Sequence, residues 1–212
     1  AASDVYKRQL VTYYSLLTQM RVNGGNDYIN LVNSILSGKC NQQACLENYD
    51  FKVMSDFNRF NNLQQKLEDE FTLSRMIAGY AWEWKSKKDK SLYDMELDGV
   101  KKQWNYRLEN WVLSEGADKQ VGCIHTIQGF DLNYGFVIMG NEIGYDPESK
   151  EIIVRPENYY DQNGRKTASK EELLEYIKHI YYVLMTRGIK GTYLYICDDN
   201  LRKYVSSIIG EI

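Results

Sequence analysis

Apolar positions along this chain follow two alternating rhythms, one helical and one extended. Tyr28, Ile29, Leu31, Val32, Ile35 and Leu36 recur at helical spacing, with Asp27 placed as N-cap and Gly38 as the terminating glycine. Residues 51–54 read as a short strand, after which Ser55 or Asp56 can cap a helix running through Phe60, Leu63 and Leu67 toward Phe71. Residues 76–82 predict a strand, closed by the solvated basic run Lys85-Ser86-Lys87-Lys88-Asp89-Lys90. Residues 121–124 and 136–139 are continuous apolar runs, the pattern of strands buried on both faces. Residues 142–155 predict a small antiparallel excursion, in which Tyr145 and Ile152, Ile153 and Val154 flank the turn Asp146-Pro147-Glu148-Ser149. A long amphipathic helix then runs from about Ser169 through Leu173, Leu174, Ile177, Ile180, Tyr181 and Leu184 to Gly188. Residues 192–197 form the next strand, and Asp198 or Asp199 caps a last helix through Leu201, Tyr204, Val205 and Ile208.

Strands alternating with helices across short connections predict an α/β fold with a mainly parallel central sheet covered on both faces. On such sheets ligands gather at the carboxyl ends of the strands. With 212 residues the chain can bury one substantial core, so one domain is expected over residues 10–212, with a peripheral insertion at about 141–168 that holds both prolines, Pro147 and Pro156. Hydrophobic content of 43% with 18 tyrosines excludes a disordered chain. The 26 basic and 29 acidic residues leave a net charge of −3, so no field of the whole chain attracts a polyanion and any nucleic-acid contact must be local. Cys40, Cys45, Cys123 and Cys197 are scattered, which fits reduced thiols and a cytoplasmic location better than a disulfide framework. No apolar run approaches the roughly 20 residues that cross a bilayer.

Residues 1–9 are set apart from the fold. The string Asp4-Val5-Tyr6-Lys7-Arg8-Gln9 looks like the translation of a transposase adapter from a sequencing library, which implies an N-terminally truncated reading frame; an ordinary exposed segment is the alternative.

The densest polar constellation is Val121-Gly122-Cys123-Ile124-His125-Thr126-Ile127-Gln128-Gly129-Phe130-Asp131. It places a histidine, two neutral hydrogen-bonding side chains, a glycine and a carboxylate directly after a buried strand. Gly129 allows a backbone to approach a ligand closely, while His125, Thr126 and Gln128 offer donors suited to phosphate or sugar oxygens. A capped turn with a satisfied histidine is the structural alternative. Arg187 near a helix end is, by itself, more often a cap or a solvated charge, and Arg21 is by itself as readable as a surface arginine.

His125-Thr126-Ile127-Gln128-Gly129-Phe130-Asp131 resembles motif V of superfamily 1 helicases, with an aspartate where that motif usually has glutamate. Tyr182-Val183-Leu184-Met185-Thr186-Arg187-Gly188 resembles motif VI, and Leu17-Thr18-Gln19-Met20-Arg21 resembles motif IV. From about Leu16 to Tyr204, including Arg75-Met76-Ile77-Ala78-Gly79-Tyr80-Ala81-Trp82-Glu83-Trp84-Lys85, the chain is similar to the C-terminal part of Schlafen group 3-like DNA/RNA helicases, bacterial proteins described mainly by their motor domain. The resemblance implies a three-layer RecA-like domain, the second half of a P-loop NTPase motor. It implies Arg187 and Arg21 as catalytic arginine fingers toward the γ-phosphate of ATP. Gly129 and Asp131 would lie on the nucleotide side, and His125, Thr126 and Gln128 along the DNA or RNA. ATP and Mg²⁺ would be held mainly by a missing N-terminal RecA-like domain.

No Gly-x-x-x-x-Gly-Lys-Ser/Thr loop occurs in the 212 residues, so the phosphate cradle is absent and the chain is not expected to hydrolyse ATP alone. Two other readings remain open. Glu83-Trp84-Lys85 with Asp69 fits the metal site of an Mg²⁺-dependent restriction-type nuclease. A non-catalytic binding module on the same scaffold is the other. Trp82, Trp84 and Trp104 could stack on bases or fill the core.

Overall fold

The computed structural model describes residues 21–161 and 168–212. Its central sheet contains β1 (Asp50–Val53), β2 (Ser74–Ala78), β5 (Val121–Gly122), β6 (Leu132–Met139) and β9 (Gly188–Ile196), in the order β1-β9-β6-β2-β5. Every pairing in it is parallel. The period-2 alternation of strands splits its side chains between two cores. Ile77, Val137, Met139, Leu194 and Ile196 pack with helices α1 (Gly25–Leu36), α3 (Lys170–Met185) and α4 (Asp199–Ile209). Met76, Ala78, Phe136, Ile138, Tyr193 and Tyr195 pack on the opposite face with α2 (Phe57–Phe71) and the hairpin β3 (Met95–Leu97) and β4 (Val100–Lys102). These are the three layers of a RecA-like domain.

The caps follow the sequence closely. Asp56 accepts the Arg59 N–H at 3.0 Å and starts α2, whose Phe57, Phe60 and Leu67 fall on one face and are buried. Burying side chains of this size stabilises the fold by about 1.5–3 kcal/mol each. Ser169 and Glu172 form a reciprocal capping box on α3, and the Asp198 carboxylate accepts the Leu201 N–H at 2.7 Å to start α4. Helix α1 differs from expectation: it begins at Gly25, its N-cap Gly24 makes no side-chain cap bond, and Asp27 lies within the first turn.

Several strand bounds also differ. Strand β2 ends at Ala78, four residues before the expected Trp82. The chain leaves the sheet at Gly79, where a Cβ would stand 2.8 Å from an oxygen of both Glu142 and Tyr181. Strand β6 begins at Leu132, earlier than its apolar run suggests, because Asn133 and Gly135 interrupt that run while the backbone stays paired with β9. Strand β9 likewise starts at Gly188, and a register irregularity lies between Leu132 and Tyr134. The hairpin β3–β4 was not expected. Its turn is Asp98-Gly99, both at positive φ (47° and 79°), the dipeptide that favours a tight two-residue hairpin. The excursion after β6 is the antiparallel pair β7 (Ile143–Asp146) and β8 (Glu151–Val154), docked on α4 and α3 with Ile143, Ile152 and Val154 buried.

Candidate functional site

The residues singled out from sequence gather at two opposite ends of the sheet. Leu132 and Gly188, the first residues of β6 and β9, are register partners, so the residues just before them, Asp131 and Arg187, are brought side by side. The Leu132 N–H donates to the Arg187 carbonyl at 2.9 Å. Arg21 joins them because the Asn23 N–H donates to the Ile189 carbonyl at 2.9 Å, which holds the segment leading into α1 against the start of β9. There Arg21 Nε meets Asp131 Oδ1 at 2.9 Å, with both side chains more than 40% exposed. Of the motif IV match only Arg21 lies within the described residues; Leu17, Thr18, Gln19 and Met20 lie outside them.

Arg187 is fixed by the end of α3. Tyr28 Oη and Thr192 Oγ1 both donate to the Met185 carbonyl, at 2.6 and 3.0 Å, and Thr186 Oγ1 donates back to the Tyr182 carbonyl at 2.9 Å. Tyr49 Oη donates to the Gly188 carbonyl at 3.0 Å on the other side. The guanidinium is half-buried, and its Nε is buried with no acceptor among the described residues. Burial, and then the positive charge of Arg21, lower its pKa from the usual arginine value, against the opposing pull of Asp131. A desolvated cation beside a second cation and with a free N–H favours an anionic ligand. These three residues stand at the amino ends of β6 and β9, opposite to the carboxyl ends where ligands were expected, because Asp131 and Arg187 directly precede those strands and the Asn23–Ile189 hydrogen bond holds the Arg21 segment beside them.

The loop from β5 to β6 spans the two ends. Gly122 is level with Ile77, and Ile77 with Val137, five residues along β6 from Leu132. At ~3.3 Å per residue the connection must retrace on the order of 16 Å. It does so as a series of turns. Thr126 is buried at its centre, its Oγ1 accepting the Cys123 N–H at 2.8 Å and donating to the Cys123 carbonyl at 3.0 Å. Its hydroxyl therefore holds the turn. His125, Gln128 and Gly129 are exposed; Gly129 has φ +85° and open space where a Cβ would stand. His125 lies near the carboxyl end of β5, edge-on to Tyr80 with ring centroids 6.2 Å apart.

Tyr80 follows β2 and begins an aromatic cluster. Its ring packs edge-on to Trp104 at 5.2 Å and to Tyr159 at 6.0 Å, and Trp104 packs edge-on to Trp84 at 6.1 Å. Trp104 is buried, so its role is in the core, while Trp82 and Trp84 are partly exposed. Beside this cluster lies a group the sequence did not reveal, Glu142, fully buried at the end of β6. Tyr181 of α3 donates to Glu142 Oε1, and the Gly140 N–H donates to Tyr181 Oη at 3.1 Å. Burial pushes the Glu142 carboxyl up to about 7, opposed by the Tyr181 hydrogen bond, and Oε2 has no partner among the described residues. Only tertiary packing against α3 buries it; Gly140, where a Cβ would stand 2.6 Å from Glu142 Oε2, is the sole local hint.

The residues of the alternative nuclease reading stand on different elements. Asp69 is exposed on α2, Glu83 is exposed after β2, and no group of three or more His, Cys, Asp or Glu fit to hold a metal occurs among the described residues. The four cysteines are free thiols, and no described helix is long and apolar enough to cross a membrane.

Comparison with known proteins points the same way as the motifs. The family model described as Schlafen group 3, DNA/RNA helicase domain, matches residues 2–198. An uncharacterized protein of Saccharomyces cerevisiae is 31% identical over 215 residues, covering 90% of this chain and 47% of that protein, so the chain spans about half the length of this relative. No solved structure matches the chain.

Proposed function

Since the chain belongs to the Schlafen group 3 DNA/RNA helicase domain family, we propose that it is the second RecA-like half of a superfamily 1 motor and completes an ATP site held by a separate RecA-like domain. The observation that carries this reading is the convergence of Arg21, Asp131 and Arg187, three residues far apart in sequence, around a guanidinium Nε that lacks an acceptor among the described residues. In this reading Arg187 is the arginine finger, placing fixed positive charge against the charge that develops on the transferred phosphoryl group. Arg21, held by Asp131 in the absence of ligand, supplies the second cation. Gly129 and Asp131 face the sugar side of the nucleotide.

The donor set fits the phosphate end of ATP and does not fit its metal. Two arginines offer N–H donors to an anion, while no carboxylate cluster among the described residues could hold Mg²⁺. In this reading the Gly-x-x-x-x-Gly-Lys-Ser/Thr loop of the separate RecA-like domain would hold magnesium and the β-phosphate, and bound ATP–Mg²⁺ would supply the phosphoryl group on which Arg187 acts. His125, exposed near the carboxyl end of β5, and Gln128, exposed farther along the same loop, face the DNA or RNA strand, and Thr126 keeps their turn in shape.

The test is Arg187→Ala in a protein that carries both motor halves. Nucleic-acid-stimulated ATP turnover should fall by about 10³-fold or more, the range for removal of an arginine finger, with nucleic-acid affinity unchanged. An unaltered turnover number removes Arg187 from this role.

A further inference from the structure

The run Lys85-Ser86-Lys87-Lys88-Asp89-Lys90 is a built loop rather than a fringe of solvated charge. The Asp94 carboxylate is buried beneath it and accepts three hydrogen bonds: the Ser86 N–H at 2.7 Å, the Ser86 hydroxyl at 2.7 Å and the Trp104 N–H at 2.7 Å. Ser86 is thereby pulled inside, and the four lysines on either side of it are left exposed. None has a carboxylate within 4 Å among the described residues. Lys87 stands over the Trp84 ring at 4.9 Å, and Lys90 stands over the Tyr106 ring at 4.1 Å while donating to the Tyr106 carbonyl at 2.6 Å. The acid inside the run, Asp89, accepts both the N–H and the hydroxyl of Ser91, at 2.9 and 2.6 Å. On a chain of net charge −3 this is a local island of unpaired positive charge on a fixed frame.

Its position links it to His125. The loop begins after β2 and its return strand runs beside β5, where the Asn105 N–H donates to the Val121 carbonyl at 2.8 Å and the Val121 N–H to the Gln103 carbonyl at 2.9 Å. Between the loop and His125 the rings of Trp84, Trp104, Tyr80 and His125 touch in series. The lysine loop and the β5 turn are thus linked by one aromatic series, whose middle member Trp104 is buried.

We propose that this lysine loop is a phosphate-backbone contact surface that extends the nucleic-acid track beyond His125, with a single strand of DNA or RNA as the occupant. It rests on the reading that the β5 turn faces nucleic acid. Spaced lysines on a rigid loop neutralise successive phosphates and carry no base preference, so binding through them is sequence-independent and salt-sensitive.

The experiment is fluorescence anisotropy of a labelled 20-nucleotide oligodeoxythymidine with the full chain across a salt series. The charge-reversal pair Lys85→Glu with Lys88→Glu should weaken binding by about tenfold or more and flatten the log–log salt slope by about 1.4, at ~0.7 per lost phosphate contact on a single strand. The pair Lys66→Glu with Lys203→Glu, on exposed positions of α2 and α4, makes the same change in net charge and should leave affinity within about twofold. Equal losses from the two pairs would overturn the proposal, since the effect would then belong to overall charge. If the loop pair binds as the unaltered chain does while His125→Ala weakens binding, the loop is excluded and the reading of the β5 turn stands. If the unaltered chain does not bind the oligonucleotide even at low salt, both fall together.

Discussion

The amino and carboxyl ends of the same parallel sheet are built from opposite materials. At the amino end Arg21, Asp131 and Arg187 are charged and partly exposed, and they meet because two strands start at one level. At the carboxyl end Tyr80, Trp104, Tyr159, Tyr181 and Glu142 are packed together, with His125 and the lysine loop exposed beside them. A cluster of half-solvated charges costs little to rearrange, because water still screens it. A packed aromatic cluster with a buried carboxyl is costly to disturb, because each group loses its contacts without replacement. The amino end is thus suited to engaging an anion presented by another body, and the carboxyl end to acting as a fixed platform.

Energetic measurements can break or sharpen this contrast. The largest effect is expected at Glu142. Its carboxyl is raised to about 7 in the folded chain from an ordinary 4.5, so between those values the native state holds a proton that the unfolded state has released. Stability therefore declines as pH rises from about 4.5 to about 7 and is level above that. Glu142→Gln should remove the decline, stabilising the chain by up to about 3 kcal/mol at pH 8 and by almost nothing at pH 4.5. Urea unfolding at the two pH values decides it, and an equal change at both would show that Glu142 is ionised throughout.

Thr126→Val keeps the side-chain shape and strips the acceptor from the buried Cys123 N–H. A loss of about 1–3 kcal/mol in the same unfolding assay is expected, with oligonucleotide affinity per folded molecule unchanged. Weaker binding without destabilisation would instead place the hydroxyl on the nucleic acid. The smallest effect belongs to the amino end: a double-mutant cycle between Arg21→Ala and Asp131→Ala should return a coupling of only about 0.2–1 kcal/mol, reduced by salt. A larger, salt-insensitive coupling would contradict the picture of a loosely held, screened cluster.

Much of the fold was legible because the signals for it are local. The capping residues Asp56, Ser169 and Asp198 and the apolar spacing of α2, α3 and α4 are carried within single segments. Where neighbours decide, the reading failed. The apolar run at Ile77 to Trp82 continues past the point where Tyr181 and Glu142 force the chain out at Gly79, and Asn133 and Gly135 hide the first half of β6. The β3–β4 hairpin was missed although Asp98-Gly99 signals it, because its strands are only three residues long. The site residues were nameable because their motifs are contiguous. That Arg21 reaches Asp131, that Thr126 is turned inward and that Glu142 is buried depend on chain segments far apart in sequence, and no local pattern encodes them.

If the two ends serve separate ligands, one paired measurement separates them. In a protein with both motor halves, ATP turnover and oligonucleotide affinity are measured for Arg187→Ala and for His125→Ala. A crossed result is expected: Arg187→Ala abolishes turnover with affinity intact, while His125→Ala weakens affinity and leaves turnover at saturating nucleic acid largely preserved. Loss of oligonucleotide affinity in Arg187→Ala, with turnover retained, would contradict it.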